Sequence, residues 1–179
     1  NPLSVSHNLT VPPELMIAKR RNGAVSWMVG VPSVSLGGFL NTTDALSSTR
    51  WSTDWSGFSP TSTIFKVSDG TAGSGDDIIA YLFATLDGIS KVGSVVHSGT
   101  TNVDCGFSNG ARFVLAKRTD ASGEWYFFDT ANGIVAGSDN YWINPTGDRL
   151  TQDIIDPLAS GFTLTSSFTA GTYIFLAIA

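Results

Sequence analysis

His7, His97 and Cys105 are the only histidines and the only cysteine of this chain, and they bound the nucleophilic chemistry it could carry out. A serine or cysteine nucleophile needs a base within hydrogen-bond reach. No Ser/His/Asp arrangement is indicated by the sequence, and Cys105 reads as a small buried filler. Paired carboxylates could hydrolyse a glycan. Asp76 and Asp77, however, adjoin at the start of an apolar run, where neighbouring side chains diverge to opposite faces of a strand, and one of them is expected to cap a turn. Asp54, Asp69, Asp129, Asp153 and Asp156 are scattered with no spacing that selects a pair. The chain is therefore expected not to be an enzyme.

Metal chemistry is equally poorly provided for. The stretch "SDGTAGSGDD", Ser68 to Asp77, has oxygen ligands and glycines. It lacks the alternation of a calcium loop and its closing Glu, so a plain turn is expected there. One cysteine excludes an internal disulfide, and there is no CxxC or Cys/His cluster for zinc. No metal and no cofactor is expected.

Binding is better served. In "RWSTDWSGF", Arg50 to Phe58, Trp51 and Trp55 are spaced so that one helical turn would put both rings on one face. Apolar sugar faces stack on such rings beside hydrogen-bonding groups, which makes Arg50, Trp51, Asp54 and Trp55 a candidate glycan platform. The competing reading is that the tryptophans anchor a long loop or sit in a subunit interface, where Trp is enriched.

The elements that must position these residues read as strands. Short runs rich in β-branched and aromatic residues alternate with Gly, Ser, Thr, Asn and Asp clusters. The clearest are "LMIAKR" from Leu15, "AVSWMVG" from Ala24, "STIFKV" from Ser62, "DIIAYLFA" from Asp77, "ISKVGSVV" from Ile89, "RFVLAKR" from Arg112, "EWYFFD" from Glu124 and "TYIFLAIA" from Thr172. "RNGA" and "TDASG" supply the positive φ angles of tight hairpins, and each hairpin's tryptophan, Trp27 or Trp125, is expected to plug a core face. Leu46 to Ser62 is polar and turn-like, whereas its later counterpart "LTQDIIDPLASGF" could form one helical turn at Asp153 to Leu158.

The chain also repeats itself. Val5 to Val29 aligns without a gap on Val103 to Phe127, with Ala18, Lys19 and Arg20 matching Ala116, Lys117 and Arg118, and Trp27 matching Trp125. "SGF" at Ser56 returns at Ser160, and "IIAYLFA" ending at Ala84 is answered by "YIFLAIA" ending at Ala179. This spacing, roughly a hundred residues, suits two copies of a half-domain rather than a solenoid module. The expected fold is an all-β antiparallel β-sandwich, jelly-roll or lectin-like, built from two tandem pseudo-repeats at residues 1–84 and 85–179. The first copy lacks a counterpart of the strand that opens the second, which is expected to leave a sheet edge for a neighbouring subunit. The first residue is Asn rather than Met, as in a processed product or a piece of a longer polypeptide.

Composition narrows the partners. Charged residues are 14% of the chain and the net charge is −5, against the clustered basic surface that a nucleic-acid partner requires. The Lys19–Arg21 and Lys117–Arg118 groups read as solvated strand ends. No apolar run approaches the roughly 20 residues of a membrane span, so neither nucleic-acid binding nor membrane insertion is expected.

Three segments taken together, "GFSNGARFVLAKRTDASGEW" from Gly106, "GDDIIAYLFATLDGISKVGSVVHSG" from Gly75 and "GTYIFLAIA" from Gly171, resemble the repeat of tail-fibre and virion appendage proteins of tailed, often marine, bacteriophages. The resemblance covers nearly the whole chain and departs from the family pattern at Asn109–Ala111 and at "GSVVHSG", Gly93–Gly99. It implies a non-enzymatic structural protein of the virion, a tail-fibre or capsid or tail appendage subunit, whose partners are other virion proteins and copies of itself. The alternative is a carbohydrate-binding, receptor-recognition module on a fibre tip, with a host surface glycan as its ligand.

Overall fold

Alternating apolar residues bounded by Gly, Asn and Asp build strands that bury one face, and in this chain they build almost nothing else. The structure, a computed structural model, describes residues 2–68, 75–131, 133–137, 139–144 and 149–179. The chain is all-β, with every strand pair antiparallel and one short α-helix among the described residues. It divides into two compact units, Asn1–Ala84 and Thr85–Ala179.

The first unit contains β1 (Leu3–Ser6), β2 (Leu15–Arg20), β3 (Met28–Val31), β4 (Leu36–Phe39), α1 (Ser48–Asp54), β5 (Ile64–Val67) and β6 (Ile78–Phe83). A four-stranded sheet in the order β4-β3-β2-β6 accompanies the pair β1-β5. Met16, Ala18 and Met28 from the first sheet and Phe65 and Val67 from the second close on each other, with Trp51 of α1 and Trp55, the residue that ends it, in the same core.

The second unit contains β7 (Ser90–His97), β8 (Thr101–Asp104), β9 (Phe113–Arg118), β10 (Trp125–Asp129), β11 (Asp139–Asn144), β12 (Arg149–Gln152), β13 (Ile155–Leu158), β14 (Gly161–Leu164) and β15 (Gly171–Ile178). Its sheets run β12-β11-β10-β9-β15-β7 and β13-β14-β8. Val114, Ala116, Phe128 and Phe175 of the larger sheet pack on Val103, Phe162 and Leu164 of the smaller one. Phe162 and Phe175 meet edge to face at 5.3 Å, the favoured geometry for two ring quadrupoles.

The same wiring occurs in both units. β2 pairs with β3 and β6 as β9 pairs with β10 and β15, and β1 pairs with β5 as β8 pairs with β14. The registers agree as well: Met16↔Gly30 and Val114↔Phe128 hold the same place, as do Arg20↔Ile78 and Arg118↔Tyr173. β7, on the far side of β15, has no counterpart beside β6 among the described residues.

Five local expectations are corrected. The helix lies at Ser48–Asp54, in the segment expected to be turn-like, because the Ser47 hydroxyl accepts from the Arg50 N–H and caps it. The expected helical turn at Asp153 to Leu158 is instead the edge strand β13, paired Ile155↔Leu164 to Leu158↔Gly161. Ile154 and Ile155 favour that extended form, and Pro157 is tolerated on an edge.

The hairpins are also longer than tight turns, connecting through residues 21–27 and 119–124. Lysine ammonium groups fold back into these loops: Lys19 donates to the carbonyls of Gly23 and Val25, and Lys117 to that of Gly123. Lys117 is fully buried, so it is not the solvated strand end that charge alone predicts. Finally, Trp125 is buried as expected but Trp27 is exposed. The Asn41 side chain takes the Trp27 N–H, and the Trp27 ring stacks on Tyr81 at 6.5 Å.

Candidate functional site

Helix α1 realises the spacing that put Trp51 and Trp55 on one face, but that face points inward. Trp55 is fully buried, its indole N–H donating to the Val29 carbonyl at 3.0 Å. Gly30 lies beneath the ring, where an added Cβ would stand 2.7 Å from the indole. Trp51 is buried in the same core. The expected platform of Arg50, Trp51, Asp54 and Trp55 therefore splits: the rings hold the helix to the sheet and offer no open face for a sugar.

The polar half of that set does reach a cavity. Arg50 and Asp54 line a space of about 360 Å³, together with Arg20, Ser26, Met28 and Phe39. The Arg50 guanidinium lies 4.5 Å above the Phe39 ring and 3.8 Å from Asp54 Oδ1. Burial raises the Asp54 carboxyl above its ordinary range, against the opposing pull of Arg50 and of the Thr53 hydroxyl. Asp54 Oδ2 is buried with no hydrogen-bond partner among the described residues. Such a cavity offers fixed donors, one acceptor and an apolar wall, the complement of a small hydroxylated ligand.

The nucleophile candidates are committed elsewhere. His97 is buried between Thr101 Oγ1 and the Phe168 carbonyl, at 3.0 and 3.1 Å from its two ring nitrogens. Burial pushes the Cys105 thiol up to about 11, the reverse of what an activated thiolate requires. His7 lies 3.0 Å from the Thr61 carbonyl.

Some of the aspartates serve local structure, while Asp153 Oδ1 and Asp156 Oδ1 are buried with no hydrogen-bond partner among the described residues. Asp76 pairs with Arg20 at 3.2 Å, the Asp77 N–H donates to the Asn22 side chain, and Asp129 accepts from the Ala131 N–H in a turn. The stretch weighed for calcium lies partly outside the described residues, at residues 69–74, and Asp69 with it. No cluster of three metal-ligating side chains is found among the described residues. No helix among them is long and apolar enough to cross a membrane.

Sequence reading missed a second surface. The inward face of β6 and the residues of β1 and β5 line an open groove of about 540 Å³, walled by Val5, Phe65, Val67, Ile78, Ala80 and Leu82. On the opposite face of β6, Ile79 and Tyr81 are exposed beside Trp27. The sequence signal was an apolar strand with no charge in it, "IIAYLF", where a partly exposed edge would ordinarily carry one.

A family described as Domain of unknown function (DUF7483) matches the chain over residues 1–179. No curated protein and no solved structure matches it.

Proposed function

The chain belongs to the DUF7483 family, and from that premise we propose that it is a non-enzymatic structural protein of a bacteriophage virion, a tail-fibre or capsid or tail appendage subunit. The observation that carries the reading is the recurrence of one sandwich wiring in both units, with the residues of the resembling motifs spent on packing. Lys117 and Trp125 are buried together in a hairpin, and the Asp76 of "GDD" ties the start of β6 to Arg20. His97 and Cys105, the groups best suited to catalysis, are held in roles that favour stability over reactivity. Copies of itself and other virion proteins are the partners this reading requires.

Quantitative mass spectrometry of purified particles tests the proposal. Several copies per particle are expected; a chain found in infected cells and absent from purified particles would reject it.

A second reading, a carbohydrate-binding module for a host surface glycan, is favoured by the cavity at Arg50 and Asp54. A glycan-array signal lost in Arg50→Ala, in a variant that remains folded, supports it. An array with no signal removes it.

A further inference from the structure

The polar groups around the cavity at Arg50 and Asp54 have no equivalent arrangement in the second unit. Arg20 and Arg118 hold the same place in the repeat, but their Nε groups are used differently. The Arg118 Nε–H donates to Asp120 Oδ1 at 2.6 Å, and a second guanidinium N–H reaches Asp120 Oδ2 at 3.4 Å. The residue matching Asp120 in the first unit is Asn22, whose amide donates to the Gly75 carbonyl and whose oxygen accepts from the Asp77 N–H. Arg20 keeps one ion pair, to Asp76 at 3.2 Å, and its Nε is buried with no hydrogen-bond partner among the described residues. The segment matching α1 is β13, in a stretch without a basic residue, so Arg50 has no counterpart either.

The lining holds more donors than acceptors. The Arg50 guanidinium, packed on Phe39, stands 3.8 Å from Asp54 Oδ1, and its N–H groups make no hydrogen bond among the described residues. Ser26 Oγ accepts from the Asn41 amide at 3.2 Å and keeps its own proton to donate. Against these donors stands one carboxyl: Asp54 is 6% exposed, and its Oδ2 is without a partner among the described residues. Buried polar groups left unpaired are costly. The ligand that pairs them is an anion that also carries a hydroxyl. A guanidinium fork fits a carboxylate in two parallel bonds. Met28 and Phe39 add an apolar wall for the C–H face of a ring, and a volume of about 360 Å³ suits a small ligand.

We infer that this cavity binds a sugar acid, its carboxylate on Arg50 and the Arg20 Nε–H and a ring hydroxyl on Asp54, so that the glycan of the carbohydrate-binding reading, on which this rests, is an acidic one. The charge of Asp54 would oppose a second carboxylate, but burial favours its neutral form. The other charged groups lining the cavity, Arg20 and Arg50, are both cations.

The test titrates glucuronate and galacturonate, their neutral parents glucose and galactose, and acetate into the full chain by calorimetry. At least one of the two sugar acids is expected to bind about tenfold or more tightly than its neutral parent and than acetate. Arg50→Gln keeps the stem over Phe39, removes the charge and is expected to abolish that preference. Arg118→Gln removes the same charge outside the cavity and is expected to leave it unchanged. Both variants are expected to retain the wild-type circular dichroism spectrum.

Sugar acids bound no better than their parents or than acetate overturn the proposal, as does a preference that survives Arg50→Gln. Neutral glycans captured on an array and lost in Arg50→Ala keep the carbohydrate-binding reading and remove this one. A sugar acid bound through Arg50 by a chain that captures no glycan on the array keeps the site and removes the receptor reading.

Discussion

The Lys117 ammonium stands 5.7 Å from the centre of the Trp125 ring, on a lysine with no exposed surface, and donates to the carbonyl of Gly123. A buried cation of this kind persists only where its donors are used. Lys117↔Trp125 is also a backbone pair of the β9-β10 ladder, so the contact fixes strand and loop together. Lys117→Ala is expected to cost about 2–4 kcal/mol, through the cavity and the unpaired carbonyl. Lys19→Ala, at the half-buried equivalent position, is expected to cost about 1 kcal/mol. Denaturant unfolding of the two variants measures the difference.

Trp55 is a packing residue, and its substitution should be read in stability. Trp55→Ala is expected to lose about 3–5 kcal/mol in denaturant unfolding, since the ring fills the space over Gly30 and its N–H satisfies Val29. Gly30→Ala is expected to destabilise as well, by driving a methyl into the indole. A Trp55→Ala variant as stable as the wild type would contradict this packing.

Asp54 should make stability fall as pH rises. Its carboxyl is raised in the folded state by burial, so between its unfolded value and its higher folded value the native chain holds more protons than the unfolded one. Stability is then lost as pH climbs through that window, and the loss is complete above the folded-state value. Asp54→Asn removes this contribution. The stability difference between variant and wild type is expected to shift in favour of the variant as pH rises above the ordinary carboxylate range of about 4; a difference that does not change with pH would show that Arg50 compensates the burial.

Cys105 should be silent. With its thiol buried and pushed up to about 11, alkylation by iodoacetamide at neutral pH is expected to be negligible in the folded chain and complete in denaturant. Rapid labelling of the native protein would mean that the smaller sheet of the second unit opens readily.

Fold class and most strands were legible because alternation and turn residues report directly on which face is buried. "LMIAKR" and "FVLAKR" became β2 and β9, and the constant offset between them became an identical register. The helix was not legible in its own segment, because the capping hydroxyl of Ser47 competes with eight other serines and threonines between Leu46 and Ser62. The inward turn of Trp51 and Trp55 was hidden for a related reason: helical spacing says that two rings share a face but not which way it looks. Trp27 and Trp125 stand at matched positions, yet one is exposed and the other buried. That difference depends on tertiary neighbours, Tyr81 in one case and Lys117 in the other, and no local pattern encodes it.

The placement of β15 between β9 and β7 also governs the order of assembly. Ser90–His97 leaves the ribosome long before Gly171–Ile178, the strand it pairs with. During synthesis β7 therefore waits as an unpaired ribbon, and it cannot join the sheet until β15, which lies between it and β9, arrives. Long-range pairing of this kind folds slowly and exposes strand edges to wrong partners while it waits. A nascent chain stalled before Gly171 would keep β7 and β9 apart, leaving the second unit open to proteolysis.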